Sequence, residues 1–128
     1  MSNNRPIMIF GDGSQTMDMT FVQDVARANV LAAKSSATSD FFNVGTGTAT
    51  SVLEVFQYMK GLLDYDLSPG FDRRDVNLVK RRQCSTEKAE RLLGFKAEVA
   101  VIDGLKHYLE WREQIAGSES LVLAANVR

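Results

Sequence analysis

One stretch of nineteen residues constrains the fold more than any other: FFNVGTGTATSVLEVFQYM, residues 41–59. A short apolar run leads into Gly45-x-Gly47, and Ser51-x-x-Glu54 then forms the capping box that starts many helices. The pattern predicts a strand over the first four residues, a tight glycine turn and an amphipathic helix. We therefore expect an α/β fold.

The Gly45-x-Gly47 pair raises the question of a dinucleotide site. The dinucleotide fingerprint carries a third glycine, which allows close packing of helix on strand, and Thr50 stands at that position. Asp64 and Asp66 lie about 20 positions further on, where the fingerprint has its acidic residue, but neither ends a clear second strand. We interpret the segment as a strand, a turn and a capped helix. An NAD loop over Gly45–Thr50 is the alternative.

Apolar periodicity and turn residues predict the other elements. An apolar run over residues 6–10 ends at Gly11-Asp12-Gly13 and indicates a strand and a turn. Thr20-x-x-Gln23 fits a second capping box, which opens a helix that extends to about Lys34. Further predictions are a strand through Val76–Val79, a short helix capped by Ser85 or Thr86 and stopped by Gly94, and a last helix from about Val101 to Ile115.

The spacing of apolar residues predicts which helix positions face the core. For the helix behind Thr20 they are Phe21, Val25, Ala28, Val30, Leu31 and Ala32. For the last helix they are Leu105, Tyr108, Leu109 and Trp111.

Length, charge and composition exclude several classes of protein. The chain has 128 residues, which suits one domain, and we place it at residues 1–116 with a frayed tail over 117–128. A net charge of −1 gives no sign of a nucleic-acid or membrane partner. The single cysteine, Cys84, excludes an internal disulfide and favours a cytoplasmic location. The single histidine, His107, excludes a histidine-rich metal site.

Four stretches in order, with ordinary spacing, carry a family resemblance: IFGDGSQTMDMTFVQDVARAN (9–29), FFNVGTGTATSVLEV (41–55), STEKAERLLGFKAEV (85–99) and DGLKHYLEWR (103–112). Together they resemble the C-terminal, substrate-binding part of the NAD-dependent nucleotide-sugar epimerases and dehydratases, which are extended short-chain dehydrogenase/reductases. The resemblance implies a small single α/β domain of about four helices and a few short strands, and a nucleotide sugar as the ligand.

The resemblance also implies which parts of the family's catalytic apparatus the sequence lacks. Intact members hold NAD or NADP on a GxxGxxG loop near their N-terminal end and transfer protons with a Tyr-x-x-x-Lys pair. Neither motif occurs here, and the residues four positions after Tyr58, Tyr65 and Tyr108 are Leu62, Pro69 and Arg112. We therefore expect no catalytic residue, no cofactor bound by this chain alone and no independent activity. A non-catalytic oligomerisation module and one half of a split epimerase are the alternatives.

Candidate substrate residues follow from the same resemblance. The family places an arginine in a Gln-x-Arg-Asp-Phe motif, where this sequence reads Gln15 to Met19 with Met17 at the arginine position. Residues 72–91 hold seven basic and four acidic side chains, which suits a diphosphate or, alternatively, a solvated basic face. The residues carried over from the family are Arg73 or Arg74 with Asp75, then Arg82, and Gln15.

The resemblance has a consequence for assembly. In the intact family, the segment like 41–44 pairs into the large sheet of the cofactor domain, and the helix like 21–34 covers that sheet. A chain without that sheet exposes an apolar edge and a helix face, which favours association with other strands. We expect a homodimer or a companion cofactor-domain chain. Rearrangement into a small α/β sandwich is the alternative.

Overall fold

The computed structural model of the protein describes residues 6–64, 66, 68–72 and 79–125, with side chains up to residue 116. Within these residues the chain forms four helices and five short strands, which confirms the predicted α/β class. In chain order they are β1 (Met8–Phe10), β2 (Thr16–Met17), α1 (Val22–Lys34), β3 (Thr50–Ser51), α2 (Val52–Leu62), β4 (Gly70–Asp72), β5 (Arg81–Arg82), α3 (Glu87–Leu93) and α4 (Val101–Ala125).

The strands form two small sheets. In the first, β1 pairs in parallel with β4, with Ile9 opposite Phe71. In the second, β2 lies between β3, which is antiparallel to it, and β5, which is parallel to it. The predicted strand at residues 6–10 is thus confirmed as β1, whereas the two-residue strands were too short for periodicity to reveal.

Local sequence rules account for the start of α2 and the end of α3. The Ser51 hydroxyl accepts a hydrogen bond from the Glu54 N–H at 3.1 Å, and the Glu54 carboxylate accepts one from the Ser51 N–H at 2.7 Å. Bonds from the Ser51 N–H and hydroxyl hold the pKa of Glu54 below its ordinary value. Gly94 adopts φ +65° after α3, a left-handed conformation that glycine reaches without strain. Both predictions are confirmed.

Two apolar clusters form the core. The larger one joins α1, α3 and the segment after α3 through Ala28, Ala89, Leu93 and Phe95. The smaller one packs Ile9 of β1 against Phe56 of α2.

A buried carboxylate joins α1 to the segment that leads into α4. Asp24 is 2% exposed, and its oxygens accept hydrogen bonds from the N–H groups of Glu98 and Val99 at 3.0 to 3.1 Å and from Arg27 at 2.6 Å. Burial alone raises the pKa of Asp24, but the bonds from Arg27, Val99 and Glu98 outweigh it and hold that pKa below 3.8. A helix dipole explains an acid in the first turn, but not this burial.

The predicted start and inward face of α1 need correction. The N-cap residue is Phe21, with no side-chain cap, so the capping box predicted at Thr20 is wrong. Val25 and Val30 are exposed rather than inward, because Asp24 and Ala28 occupy the face that packs on the core. Periodicity assigned the inward face to apolar residues and could not recognise a buried acid.

The strand predicted at residues 41–44 is absent. The segment forms no ladder with any described strand, and a strand is stable only where a neighbour satisfies its backbone groups. Phe42 and Val44 still pack against the larger cluster, while Phe41 is exposed. Of the strand predicted at Val76–Val79, residues 76–78 lie outside the described residues, and Val79 is not in a strand.

The last helix differs from its prediction in length and in contacts. It begins at Val101 as predicted but extends to Ala125, well beyond Ile115. Leu105 and Leu109 are partly buried, whereas Tyr108 and Trp111 are exposed and not inward. The domain limit at residue 116 and the frayed tail over 117–128 stay predictions.

Replacing the buried carboxylate, Asp24→Asn, should lower the free energy of unfolding by about 2 to 3 kcal/mol at neutral pH, because hydrogen bonds to a charged acceptor are lost. The depressed pKa of Asp24 stabilises the fold above the ordinary carboxyl pKa, and this contribution disappears as pH falls through the folded-state pKa. The difference between wild type and variant should therefore shrink below about pH 3.8. Urea unfolding monitored by circular dichroism across pH measures it.

Asp66→Asn is the matched control, because the side chain of Asp66 is fully exposed and lies 3.8 Å from Lys60. It should change stability by less than about 1 kcal/mol. Equal effects of the two substitutions would contradict the role given to Asp24.

Candidate functional site

Strand register brings two of the predicted site residues together. Thr16 and Met17 of β2 pair with Arg81 and Arg82 of β5, so Arg82 is the direct neighbour of Met17. Gln15 comes immediately before β2, on the same face as Met17 because side chains alternate along an extended chain. Gln15 and Arg82 are thus both neighbours of Met17, although they are far apart in sequence.

The two arginines of β5 have different partners. Arg81 donates to the side-chain oxygen of Gln83. The guanidinium of Arg82 forms no hydrogen bond or ion pair with the described residues, and its backbone carbonyl accepts from the N–H of Asp18 at 2.8 Å. Arg82 therefore presents a charged fork on a fixed backbone. Gln15 has a local role, because its amide donates to the carbonyl of Phe10 at 3.0 Å.

A cleft of about 610 Å³ borders β5 at Arg81, and neither Gln15 nor Arg82 lines it. Its walls include Arg81 of β5, Gln83 directly after β5, the turn at Gly47, and the residues that lead into α3. Of the basic run Lys80, Arg81 and Arg82, Arg81 lines this cleft, whereas Lys80 and Arg82 are not among its lining residues. Its size is within the range of small-ligand sites.

A carboxylate holds the glycine turn from inside the protein. Oδ1 of Asp18 accepts from the N–H and hydroxyl of Thr46 at 2.8 and 2.6 Å, and Oδ2 accepts from the N–H of Gly47 at 2.9 Å. The side-chain amide of Gln83 donates to the Gly47 carbonyl from the other side. We refer to the bonds from Asp18 to Thr46 and Gly47 as the Asp18 clamp.

The Asp18 clamp explains why residue 45 is a glycine. A Cβ added at Gly45 would lie 2.6 Å from Oδ2 of Asp18 and 3.0 Å from the sulfur of Cys84. The glycine therefore allows close approach of an internal carboxylate rather than of a pyrophosphate. The amides of Thr46 and Gly47, which an NAD loop would aim at phosphate, are already bonded, as expected for a structural turn.

Three of the predicted site residues, Arg73, Arg74 and Asp75, lie outside the described residues. Their proposed part in binding stays a prediction. No group of three or more His, Cys, Asp or Glu within the described residues could hold a metal ion. No helix there is both long and apolar enough to cross a membrane.

Sequence reasoning missed Asp18 and Gln83, which shape the turn. Asp18 lies inside the Gln15–Met19 motif, which lacks the family's arginine, and Gln83 follows the basic run. A carboxylate directly after a strand is a recognisable signal for backbone capture, but its partner lies 28 residues away. Only the fold shows which amides it holds.

Comparison with known proteins gives consistent matches. A family model described as the NAD dependent epimerase/dehydratase family matches residues 1–45. A putative UDP-glucose 4-epimerase from Methanocaldococcus jannaschii is 36% identical over 111 residues, which make up 87% of this chain and 35% of that protein. A UDP-glucose 4-epimerase from Mycolicibacterium smegmatis is 34% identical over 107 residues, 84% of this chain and 34% of that protein.

Solved structures are similar over the same extent. The UDP-glucose 4-epimerase of Thermotoga maritima with UDP-glucose has a TM-score of 0.84 and 32% identity, covering 91% of this chain and 37% of that one. The UDP-glucuronic acid 4-epimerase of Bacillus cereus with UDP-glucuronic acid and NAD has a TM-score of 0.81 and 26% identity, covering 90% and 37%. The chain thus spans about a third of the length of the relatives it matches.

The Asp18 clamp predicts opposite effects for the same substitution at two glycines. Gly45→Ala should lower the free energy of unfolding by about 1 to 3 kcal/mol, because its Cβ meets the Asp18 carboxylate. Gly61→Ala, within α2 and with no atom within 4 Å of the new Cβ, should raise it by up to about 1 kcal/mol. Urea unfolding measures both.

Amide spectra provide the second readout for these variants. The Thr46 and Gly47 amides should shift in Gly45→Ala and stay in place in Gly61→Ala. A stable Gly45→Ala variant with unchanged amide shifts would contradict the Asp18 clamp.

Proposed function

Because the chain belongs to the NAD-dependent epimerase/dehydratase family, we propose that it forms part of a nucleotide-sugar site and binds the diphosphate through Arg82. The relatives support this ligand class, since solved structures similar to this chain contain UDP-glucose or UDP-glucuronic acid. The observation that carries the proposal is the register of Arg82 beside Met17.

Met17 stands where the family's motif has an arginine, and a thioether cannot bind phosphate. Neighbouring strands lie about 4.8 Å apart, a distance that an arginine side chain exceeds. Arg82 can therefore bring its guanidinium into the space that an arginine at residue 17 would use. A guanidinium matches the oxygens of a diphosphate in charge and in fork geometry.

The surroundings of Arg82 favour an anion. Its guanidinium has no carboxylate partner among the described residues, and Lys80 and Arg81 are adjacent in sequence. The carboxylate of Asp18, which directly follows β2, is held by Thr46 and Gly47. Arg73, Arg74 and Asp75 follow β4 in sequence, and we propose that they add contacts to phosphate and ribose. Gln15 we propose as a supporting residue that orients the start of β2.

We propose that these residues do not turn over sugars unaided. The sequence contains no Tyr-x-x-x-Lys pair and no GxxGxxG loop, so proton transfer and cofactor binding need groups from elsewhere. A bound NAD or NADP, held by such groups, would supply the hydride chemistry of the family. This chain's contribution is to bind and orient the nucleotide end of the substrate.

Titration of the chain with UDP-glucose at fixed ionic strength, by calorimetry, tests the proposal. Wild type should bind saturably, and Arg82→Met should weaken binding at least about tenfold, because charge-assisted hydrogen bonds are lost. The double variant Met17→Arg with Arg82→Met should recover binding, because it returns the guanidinium to the neighbouring strand.

Arg112→Met is the control with the same change of charge, since Arg112 is exposed on α4. It should bind like wild type. Equal affinity of wild type and Arg82→Met, or no binding of UDP-glucose by the wild type, would contradict the proposal.

A second candidate function is a docking module. The outward face of α1 carries an apolar stripe at helical spacing, and Val22 is 70% exposed within it. A helix that is apolar on both faces is normally covered on both. The stripe comprises Val22, Val25, Ala26, Val30 and Ala33.

We propose that a second copy of the chain covers this stripe, giving a homodimer, and a companion cofactor-domain chain is the other outcome. Native mass spectrometry at micromolar concentration should show dimers that Val25→Glu dissociates. Leu92→Glu, on α3 and also exposed, should leave the dimers intact. A monomeric wild type at these concentrations would exclude the homodimer.

A further inference from the structure

A second cleft, separate from the one beside Arg81, lies where the turn before β3 faces the beginning of α4. Its volume is about 380 Å³. Hydroxyl-bearing residues line one side, and the first residues of α4 line the other; the ones that matter here are Thr48, Thr50, Tyr58, Glu98, Val101 and Ile102.

Helix α4 opens onto this cleft without a cap. The N–H groups of Asp103 and Gly104 bond to the carbonyl of Ala100 at 3.0 and 2.9 Å. Those of Val101 and Ile102 have no hydrogen-bond partner among the described residues. The first N–H groups of a helix find their acceptors in side chains, water or ligands, and Ala100 has no side chain that can serve.

Thr50 supplies an independent sign of a ligand. The residue is only 7% exposed and lines the same cleft. Its hydroxyl forms no hydrogen bond within the described residues. Every fully buried side-chain nitrogen or oxygen there does have a partner, so this hydroxyl is accessible to solvent. The hydroxyl therefore opens into the cleft. An acceptor bound in the cleft could take the hydrogen bond that this hydroxyl does not make within the described residues.

The cleft offers hydrogen-bond donors, and the two carboxylates near it are already paired with basic side chains. The hydroxyls of Thr48 and Tyr58 also have no partner among the described residues, whereas the Thr46 hydroxyl belongs to the Asp18 clamp. The carboxylate of Glu98 is paired with Arg27 at 3.1 Å, and that of Asp103 with Lys106 at 3.0 Å. Uncharged N–H and O–H donors at a helix N-terminus suit an oxyanion.

We infer that this cleft binds a small oxyanion, a phosphoryl or carboxylate group, through the N–H groups of Val101 and Ile102 and the hydroxyl of Thr50. None of these residues belongs to the proposed nucleotide-sugar site. The two proposals can therefore be tested independently of each other.

Amide NMR of the full chain at constant ionic strength, titrated with inorganic phosphate and separately with acetate, tests the inference. The Val101 and Ile102 amides should shift saturably with at least one of the two anions. The anion that causes the shift shows whether the cleft accepts a phosphoryl or a carboxylate group. Thr50→Val should weaken that binding about tenfold, because one hydrogen bond to a charged acceptor is lost.

Two variants keep the outcome interpretable. Thr50→Ser keeps the hydroxyl and should bind within about twofold of wild type, allowing for the scatter of single-contact energies. Thr38→Val removes an exposed hydroxyl from a distant loop and should have no effect. Shifts that stay linear with both anions, or that are equal in wild type and Thr50→Val, would overturn the inference.

Discussion

The Asp18 clamp is the interaction on which the architecture of the candidate site depends. It joins the residue after β2 to the turn before β3, and Gln83, the residue after β5, donates a hydrogen bond to the same turn. The turn, both flanking strands and the β5 arginines therefore share one set of hydrogen bonds. Because the clamp uses the turn's amides, both anion sites that we propose depend on other groups, namely the Arg82 side chain and the uncapped start of α4.

Local rules predicted the parts of the fold whose causes lie within a few residues. The Ser51–Glu54 capping box and the Gly94 helix end are such cases, because each partner lies within one helical turn. The α/β class followed from sequence signals of the same local kind, in which short apolar runs and glycine turns precede capped helices. The strand at 41–44 was wrong, because a strand depends on a neighbour and no described strand lies beside it. The exposed Tyr108 and Trp111 show the same limit for helices, since periodicity identifies an apolar face but not what covers it.

The candidate site was predictable only in part. The family resemblance named Gln15 and Arg82 as candidates, but their proximity depends on the register of β2 against β5, which spans more than sixty residues. The buried Asp24 and the clamping Asp18 were missed for a related reason. Their partners lie 74 and 28 residues away, so no local pattern distinguishes them from surface acids.

Hydrogen exchange and chemical shifts of the Thr46 and Gly47 amides, measured with and without NAD, test the central claim most directly. That claim is that the glycine turn is an internal structural element and not a cofactor loop. It predicts slow exchange of both amides in the free chain and no saturable shift on addition of NAD. Fast exchange of both amides, together with saturable shifts caused by NAD, would contradict it.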